Sequence, residues 1–479
     1  MNHPQIIQGG MGVAISDWKL ANAVARLGQL GVVSGIGIAV VMTGRLMHGD
    51  PGGHIRRALS HFPFQEPVQR ILDKFYVEGG IPKGTPMKRL TMWTVNPPKE
   101  LNEITVIANF VEVWLAKEGH NNPVGLNLLE KVQLPNLSSL YGAMLAGVDY
   151  VLMGAGIPIQ VPGVLDALVD HHPVSYRLDV VGADKDDDYQ IHFDPEATFP
   201  GISERMGSLK RPIFLPIISS VVLAKALLTR STGEIQGFII EGPLAGGHNA
   251  PPRGALKLNE YGEPIYGEKD VVDLEKIKEL GLPFWLAGSY GNPAKFREAL
   301  AIGATGVQIG TAFAFCDDSG MDPNIRQAVL ARALEDDITV RTSALASPTG
   351  FPFKVVMMPG TIAYMAVYEA RERLCDLGYL RTVYKNGSEN LGYRCPAEPV
   401  DQFVKKGGTV EEAEGRTCLC NHLAATAGYA NTRRDGYTEP PIITSGDDLV
   451  NIKQFVKDGQ TSYTAKDVIE YILGEPVNT

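Results

Sequence analysis

The residues with the clearest chemical potential lie at 237–248, GFIIEGPLAGGH, where a β-branched strand runs into glycines and then presents one histidine. Gly246 and Gly247 remove side chains where something flat must approach the backbone. His248 follows the C-terminal end of that strand, where α/β barrels carry their catalytic groups. Histidine is also the side chain best suited to proton transfer near neutral pH. A second constellation lies downstream, at 286–291 (LAGSYG) and 308–311 (QIGT). Asn292 is a good N-cap and Pro293 suits a first helical position, so a helix begins just after the first of these loops. Gly288, Gly291 and Gly310 let backbone N–H groups face an anion, and the two loops together read as a phosphate corner.

Positioning such groups requires strands that end side by side. Eight short apolar segments supply them: 5–9, 31–35, 123–129, 150–155, 213–219, 237–241, 283–287 and 306–310. Their continuous runs of Val, Ile, Leu and Phe suit parallel strands covered on both faces. Amphipathic helical segments lie between them, such as Leu20-Ala23-Val24-Leu27 and Phe296-Leu300. Eight β-then-α units predict a (β/α)8 TIM barrel over residues 1–340. Long insertions are expected at 38–90, with a Gly/His-rich loop at 43–54 and a helix near 66–76, and at 160–212, with the acidic run 184–188 as a solvated turn. Both follow strands, so both are expected on the catalytic face, walling or covering the pocket. Residues 341–479 lose the αβ rhythm and read as a C-terminal extension packed on the barrel, with one helix at 363–377.

The 479 residues are 44% hydrophobic and 20% charged, the balance of an ordinary globular protein with a large core. A formal charge of −10 without a basic stripe argues against nucleic acid and anionic membrane as partners. No basic segment followed by an apolar core opens the chain, and five scattered cysteines do not read as a disulfide framework, so a cytoplasmic location is expected. Cys395, Cys418, Cys420 and His422 raise the question of a metal. The Cys-x-Cys spacing is awkward for one tetrahedral ion, and the expectation is buried or lid cysteines with no metal. His171 and His172 read as a helix-end cap, and Trp93, Trp114 and Trp285 as core.

Four ordered blocks resemble the signature segments of the nitronate monooxygenase (2-nitropropane dioxygenase) family, which includes FMN-dependent enoyl-ACP reductases. They are 6–12 (IIQGGMG), 241–248 (EGPLAGGH), 287–291 (AGSYG) and 304–313 (ATGVQIGTAF), followed by 337–342 (DITVRT) and 350–354 (GFPFK). The resemblance covers about residues 5–360. It implies bound FMN, with Gly246 and Gly247 letting the ring approach the sixth strand. Gly288, Ser289, Gln308, Gly310 and Thr311 would hold the phosphate and ribityl chain, Asn127 would contact the ring, and backbone at Gly10 and Met11 would line its other side. His248 matches the family's catalytic histidine. Three positions depart from the family pattern: Gly10 stands where a proline is usual, Glu241 where a glutamine is usual, and Ser289 where a second glycine is usual. A carboxyl at 241 would alter a flavin's redox poise, or would donate only when protonated.

The resemblance implies oxidation of alkyl nitronates or nitroalkanes with dioxygen, His248 taking the proton next to the nitro group. The alternative within the family is reduction of an enoyl thioester, free or carried on acyl carrier protein, by NAD(P)H. Outside it stands a flavin-free phosphate-binding lyase or isomerase, which needs a strand-end lysine; Lys131 is the one candidate. A dehydrogenase with a cysteine nucleophile is disfavoured, because no cysteine follows the fifth or sixth strand. The oligomeric state stays open.

Overall fold

Strands that are apolar on both faces must be covered on both, and the chain meets that need by closing them into a ring. The computed structural model describes residues 3–387 and 390–474. All eight strands form: β1 (Ile6–Gln8), β2 (Gly31–Ser34), β3 (Val124–Leu129), β4 (Tyr150–Gly154), β5 (Ile213–Ile218), β6 (Phe238–Glu241), β7 (Phe284–Ala287) and β8 (Gly306–Ile309). Neighbours pair in parallel in the order β1-β8-β7-β6-β5-β4-β3-β2. The ring closes between β1 and Leu30, just ahead of β2. Gln8 N–H donates to the Leu30 carbonyl at 2.9 Å, and Leu30 N–H donates to the Ile6 carbonyl at 3.0 Å. The Gln8 side-chain oxygen accepts from Val32 N–H at 3.0 Å, so a buried glutamine supplies a bond that this short strand cannot make with its backbone. The fold is a (β/α)8 barrel.

Ile7, Leu30, Val32, Leu152, Leu215, Ile239 and Trp285 are fully buried together inside the ring. Trp285 satisfies its indole N–H on the Pro4 carbonyl at 2.8 Å. The outward side chains join the surrounding helices in one continuous core. Local signals set the helix starts. Asp17 accepts from Lys19 and Leu20 N–H to open the helix Trp18–Arg26. Asn292 accepts from Lys295 N–H, with Pro293 next to it, to open the helix Pro293–Ile302.

Three expectations need correction. Residues 43–47 are not loop but the second half of a helix, Ile38–Met47, whose apolar residues other than Val40 are buried and whose Gly44 lies under the Tyr429 ring. Turn residues mark the true loop from 48 to 53, where Asp50, Gly49, Gly52 and Gly53 all take positive φ. The helix expected at 363–377 shortens to Met365–Ala370. Neither insertion walls the cavity described below. Residues 38–75 pack their helices against the long helix Lys99–Lys117. The 160–212 segment pairs Val180–Val181 with Thr382–Asn386 of the extension. Its acidic turn holds Lys385 through Asp184 at 2.7 Å and Asp187 at 2.9 Å.

The extension shares the barrel's apolar core. Ile443, Leu449, Ile452, Phe455, Val468 and Ile469 are buried in it, and Tyr463 donates its hydroxyl to the Ala312 carbonyl at 2.7 Å. Trp93 and Trp285 are core as expected, whereas Trp114 is half-buried and stacks on His61. His171 does more than cap: it is buried between the Tyr141 hydroxyl at 2.6 Å and the Gly207 carbonyl at 2.7 Å.

One buried ion cluster ties these layers together. Arg45 meets Glu112 at 2.7 Å and Asp17 at 3.1 Å, and also donates to the Tyr429 hydroxyl of the extension at 3.1 Å. Burial pushes the Asp17 carboxyl above its usual range in spite of Arg45. Arg45→Ala leaves two buried carboxylates without a cation, and urea unfolding at neutral pH is expected to show a loss of about 3–5 kcal/mol. The deficit shrinks in mild acid, where the orphaned carboxyls take up protons. A loss below about 1 kcal/mol at neutral pH would make this cluster no stronger than a surface pair.

Candidate active site

A cavity of about 440 Å³ opens at the C-terminal ends of the barrel strands, within the size range of small-molecule sites. Every residue that the resemblance placed at the cofactor and proton-transfer site borders it. Gly10 and Met11 come from the end of β1, Asn127 from β3, and Glu241, Gly246, Gly247 and His248 from β6 and its loop. Gly288 and Ser289 follow β7, Gln308 lies on β8, and Gly310 and Thr311 follow it. The sequence signal was positional: in a parallel barrel, residues at strand C-termini converge on one face.

The β1 loop is held by Ser16, which donates to the Gly9 carbonyl and accepts from Met11 N–H, each at 2.8 Å. A Cβ at position 10 would stand 2.1 Å from Asn127 Cβ. Gly10, the departure from the family's proline, is therefore what lets Asn127 pack against the β1 backbone. Gly246 also has a reason other than the expected one. A Cβ there would lie 2.8 Å from Gly446 N and from the Ser445 carbonyl carbon, so the space over Gly246 is taken by the extension's backbone.

That backbone is the cavity's roof. Gly247 N–H donates to Thr444 Oγ1 at 2.9 Å, Asp447 N–H donates to the Leu244 carbonyl at 3.1 Å, and Gly446 N–H donates to Thr311 Oγ1 at 3.0 Å. Leu423, Thr426, Ile442 and Asp448 complete it. None of these residues was singled out from sequence. The turn-forming run 444–448, TSGDD, was the available signal.

His248 sits in a short antiparallel bridge with Phe353, pinned on one side by Lys354 N–H to the Gly247 carbonyl and on the other by Asn249 N–H to the Pro352 carbonyl, each at 2.9 Å. Its Nε2 hydrogen-bonds with Ser347 Oγ at 2.7 Å, and Ser347 Oγ meets Thr349 Oγ1 at 2.8 Å. Phe353 and Phe351 present edge-on rings to the imidazole, and the Lys131 ammonium lies 4.7 Å from the centre of the Phe351 ring. Burial, with Lys131 adding to it, pushes the imidazole down to about 4. Lys131 is exposed and does not border the cavity, which leaves no strand-end lysine for Schiff-base chemistry there.

Two further polar groups face the same space. Among the described residues Glu241 has no hydrogen-bond or ion-pair partner, and burial pushes it up to about 8. Gln308 Oε1 is buried with no partner, an acceptor awaiting a donor. At neutral pH the cavity thus presents a neutral imidazole and a largely protonated carboxyl. Such an arrangement can accept a proton at one point and donate a hydrogen bond at another.

Residues 175–348, which carry β5 to β8, His248 and Ser347, match the family model "Nitronate monooxygenase". The chain is 30% identical over 128 residues to the nitronate monooxygenase of Paraburkholderia phytofirmans, covering 27% of this chain and 33% of that protein. It is 34% identical over 118 residues to the probable nitronate monooxygenase of Bacillus subtilis, covering 25% of this chain and 32% of that one. The match thus spans about a third of the length of these curated relatives. The solved structure of FabK from Thermotoga maritima covers 99% of this chain and 92% of its own at 15% identity and a TM-score of 0.46. Likeness of that degree speaks to neither cofactor nor substrate.

The two perturbed groups have opposite consequences for stability. Glu241 shifts from 4.5 in the unfolded chain to about 8 in the fold, so its contribution is intact below pH 4.5 and is lost as pH rises towards 8. His248 shifts from 6.5 to about 4, so its contribution is intact above pH 6.5 and is lost as pH falls towards 4. Glu241→Gln removes only the first effect. Thermal melting from pH 4.5 to 9 is expected to show the variant gaining on the parent chain as pH rises, and parallel curves would place the Glu241 carboxyl in water. Over residues 175–348 the chain thus resembles the nitronate monooxygenase family.

Proposed function

We propose that the protein is an FMN-dependent oxidoreductase of the nitronate monooxygenase type, oxidising alkyl nitronates or nitroalkanes with dioxygen. The observation that carries the reading is the convergence of His248, Glu241 and the unpartnered Gln308 oxygen on one roofed cavity at the barrel's catalytic end. FMN fits the residues present. The Gln308 oxygen needs a donor, and Gly10, Met11 and Asn127 border the same space. Gly288, Ser289, Gly310 and Thr311 would hold the phosphate end. Asp448, raised by burial and bonded to the Thr311 hydroxyl, borders the same corner, and a phosphate beside it would favour its protonated form further. Bound there, FMN would supply the electron acceptor and the site of reaction with dioxygen.

The chain's own groups handle charge and protons. The His248 imidazole, neutral at working pH and held by Ser347, takes the proton from the carbon next to a nitro group. Its low proton affinity is set by burial, and a substrate anion in the cavity would raise it. Protonated Glu241 donates a hydrogen bond to the nitronate oxygens, where negative charge collects.

Acid treatment of the purified protein is expected to release FMN, and a colourless chain that takes up none on reconstitution would overturn the cofactor. His248→Ala should keep its flavin yet lose turnover of a neutral nitroalkane by about a hundredfold or more, with a smaller loss on the preformed nitronate. Equal losses on both substrates would remove His248 from proton transfer. Gly310→Asp places a carboxylate in the phosphate corner and should abolish flavin retention with the fold intact, as read by gel filtration and circular dichroism. NAD(P)H-driven reduction of an enoyl thioester without nitronate turnover would replace the proposed reaction.

A further inference from the structure

The anion corner of the active cavity is built without a cation. Among the described residues that border the cavity there is no lysine or arginine, and two carboxyl side chains, Glu241 and Asp448, stand there instead. Asp448 comes from the roof. Its carboxyl reaches into the gap between the loops that follow β7 and β8: Oδ2 lies 3.8 Å from where a Cβ on Gly291 would stand, while Oδ1 and Thr311 Oγ1 each lie 2.9 Å from where a Cβ on Gly446 would stand. An aspartate directly ahead of a helix ordinarily accepts from the first free N–H groups. Asp448 precedes the short helix Leu449–Phe455, yet its side chain makes no such bond. The Thr311 hydroxyl is committed as well. It accepts from Gly446 N–H at 3.0 Å and gives its one proton to Asp448, so it has none left for a ligand.

We propose that Asp448 admits the cofactor phosphate only together with a proton, which the carboxyl and the phosphate hold between them, and that Asp448 rather than the Thr311 hydroxyl is the side-chain donor at this corner. The proposal rests on the FMN reading above. A phosphate dianion and a carboxylate in contact, part-buried and with no cation beside them, cannot both keep their full charge. One proton from solvent resolves the conflict. The carboxyl that takes it becomes a donor, and the backbone N–H groups of the two loops meet the charge that remains.

The ionisable groups around Asp448 offer no other counter-ion. The neighbouring Asp447 carboxylate is already paired with the buried Lys354 ammonium at 2.8 Å. Tyr463 faces Asp448 from the C-terminal side, but burial keeps its phenol protonated, and its hydroxyl donates to the Ala312 carbonyl at 2.7 Å. His248, which borders the same cavity, is neutral at working pH. Burial already raises the Asp448 carboxyl, with Asp447 adding to it and the Thr311 hydroxyl opposing it, and an adjoining dianion acts in the raising direction.

The test reads binding and not turnover. The full chain, freed of flavin, is titrated with FMN and with riboflavin between pH 7 and 9, where the phosphate of free FMN is already a dianion. Flavin fluorescence reports the affinity. Wherever Asp448 is ionised in the free chain, the FMN dissociation constant is expected to rise about tenfold per pH unit, while that of riboflavin, which carries no phosphate, stays level. Calorimetry in buffers of different ionisation heat should show about one proton taken up per FMN and none per riboflavin. Asp448→Asn keeps a side chain of the same shape that can donate without taking up a proton. It should bind FMN with little dependence on pH, and at pH 9 about tenfold or more tighter than the parent chain. An FMN affinity that stays level with pH in the parent would overturn the role of Asp448 and leave the cofactor in place. The same slope for riboflavin, or the parent's slope retained in Asp448→Asn, would overturn it too. The comparison of FMN with riboflavin is decided in the parent chain, so it does not depend on the variant folding. A parent chain that binds neither flavin at any pH would overturn the FMN reading and this proposal with it.

Discussion

The working end of this molecule depends on one seam, where the backbone of residues 444–447 lies across two strand-end loops of the barrel. Three hydrogen bonds make it: Gly247 N–H to Thr444 Oγ1, Asp447 N–H to the Leu244 carbonyl, and Gly446 N–H to Thr311 Oγ1. Glycine stands at the closest approach on both sides, since a Cβ at 246 would strike the 445–446 backbone and one at 446 would lie 2.9 Å from Thr311 Oγ1. Without the seam the strand ends would form an open bowl. With it they form a partly covered cavity, and the burial of His248 and Glu241 within it is what shifts their protonation.

Those two shifts share a cause and run in opposite chemical directions. Burial disfavours the charged form of either group, which makes the imidazole a neutral acceptor and the carboxyl a neutral donor at the same pH. The glutamate that departs from the family's glutamine thus still offers a hydrogen-bond donor, as an amide would, while remaining able to ionise. Ser347 fixes the imidazole from the far side, and the hairpin strand Phe353–Val356, which begins at the bridge to His248, fixes its loop. The extension is therefore part of the site's electrostatics as well as its shape.

The same extension is held to the barrel at points far from the cavity. Tyr429 joins the buried Arg45 cluster, Lys385 bridges the acidic turn of the 160–212 insertion, and Tyr463 anchors to Ala312 beside β8. Because these anchors sit on different sides of the ring, the roof is braced rather than hinged at one edge. The insertions serve this bracing and take no part in lining the cavity.

Much of the barrel was legible in the chain because its signals are local. Uninterrupted Val, Ile and Leu runs mark strands buried on both faces, and Asn292-Pro293 marks a helix start through its own backbone bonds. Parallel closure then carries every strand end to one rim, so Gly10, Asn127, His248, Gly288, Gln308 and Thr311 meet without further information. Residues 43–47 are helical although Gly44 is a poor helix former, because its place is secured by a ring 385 positions away, that of Tyr429. Long-range contact likewise decided the rest. Ser347 lies 99 positions from His248, and Gly446 lies 135 from Thr311. No periodicity or capping rule links such pairs. Residue order alone thus determined which side chains stand at the catalytic rim. Tertiary structure decided which are enclosed, what each touches and which protonation state each holds, because desolvation and hydrogen bonding depend on neighbours that only the folded chain brings together.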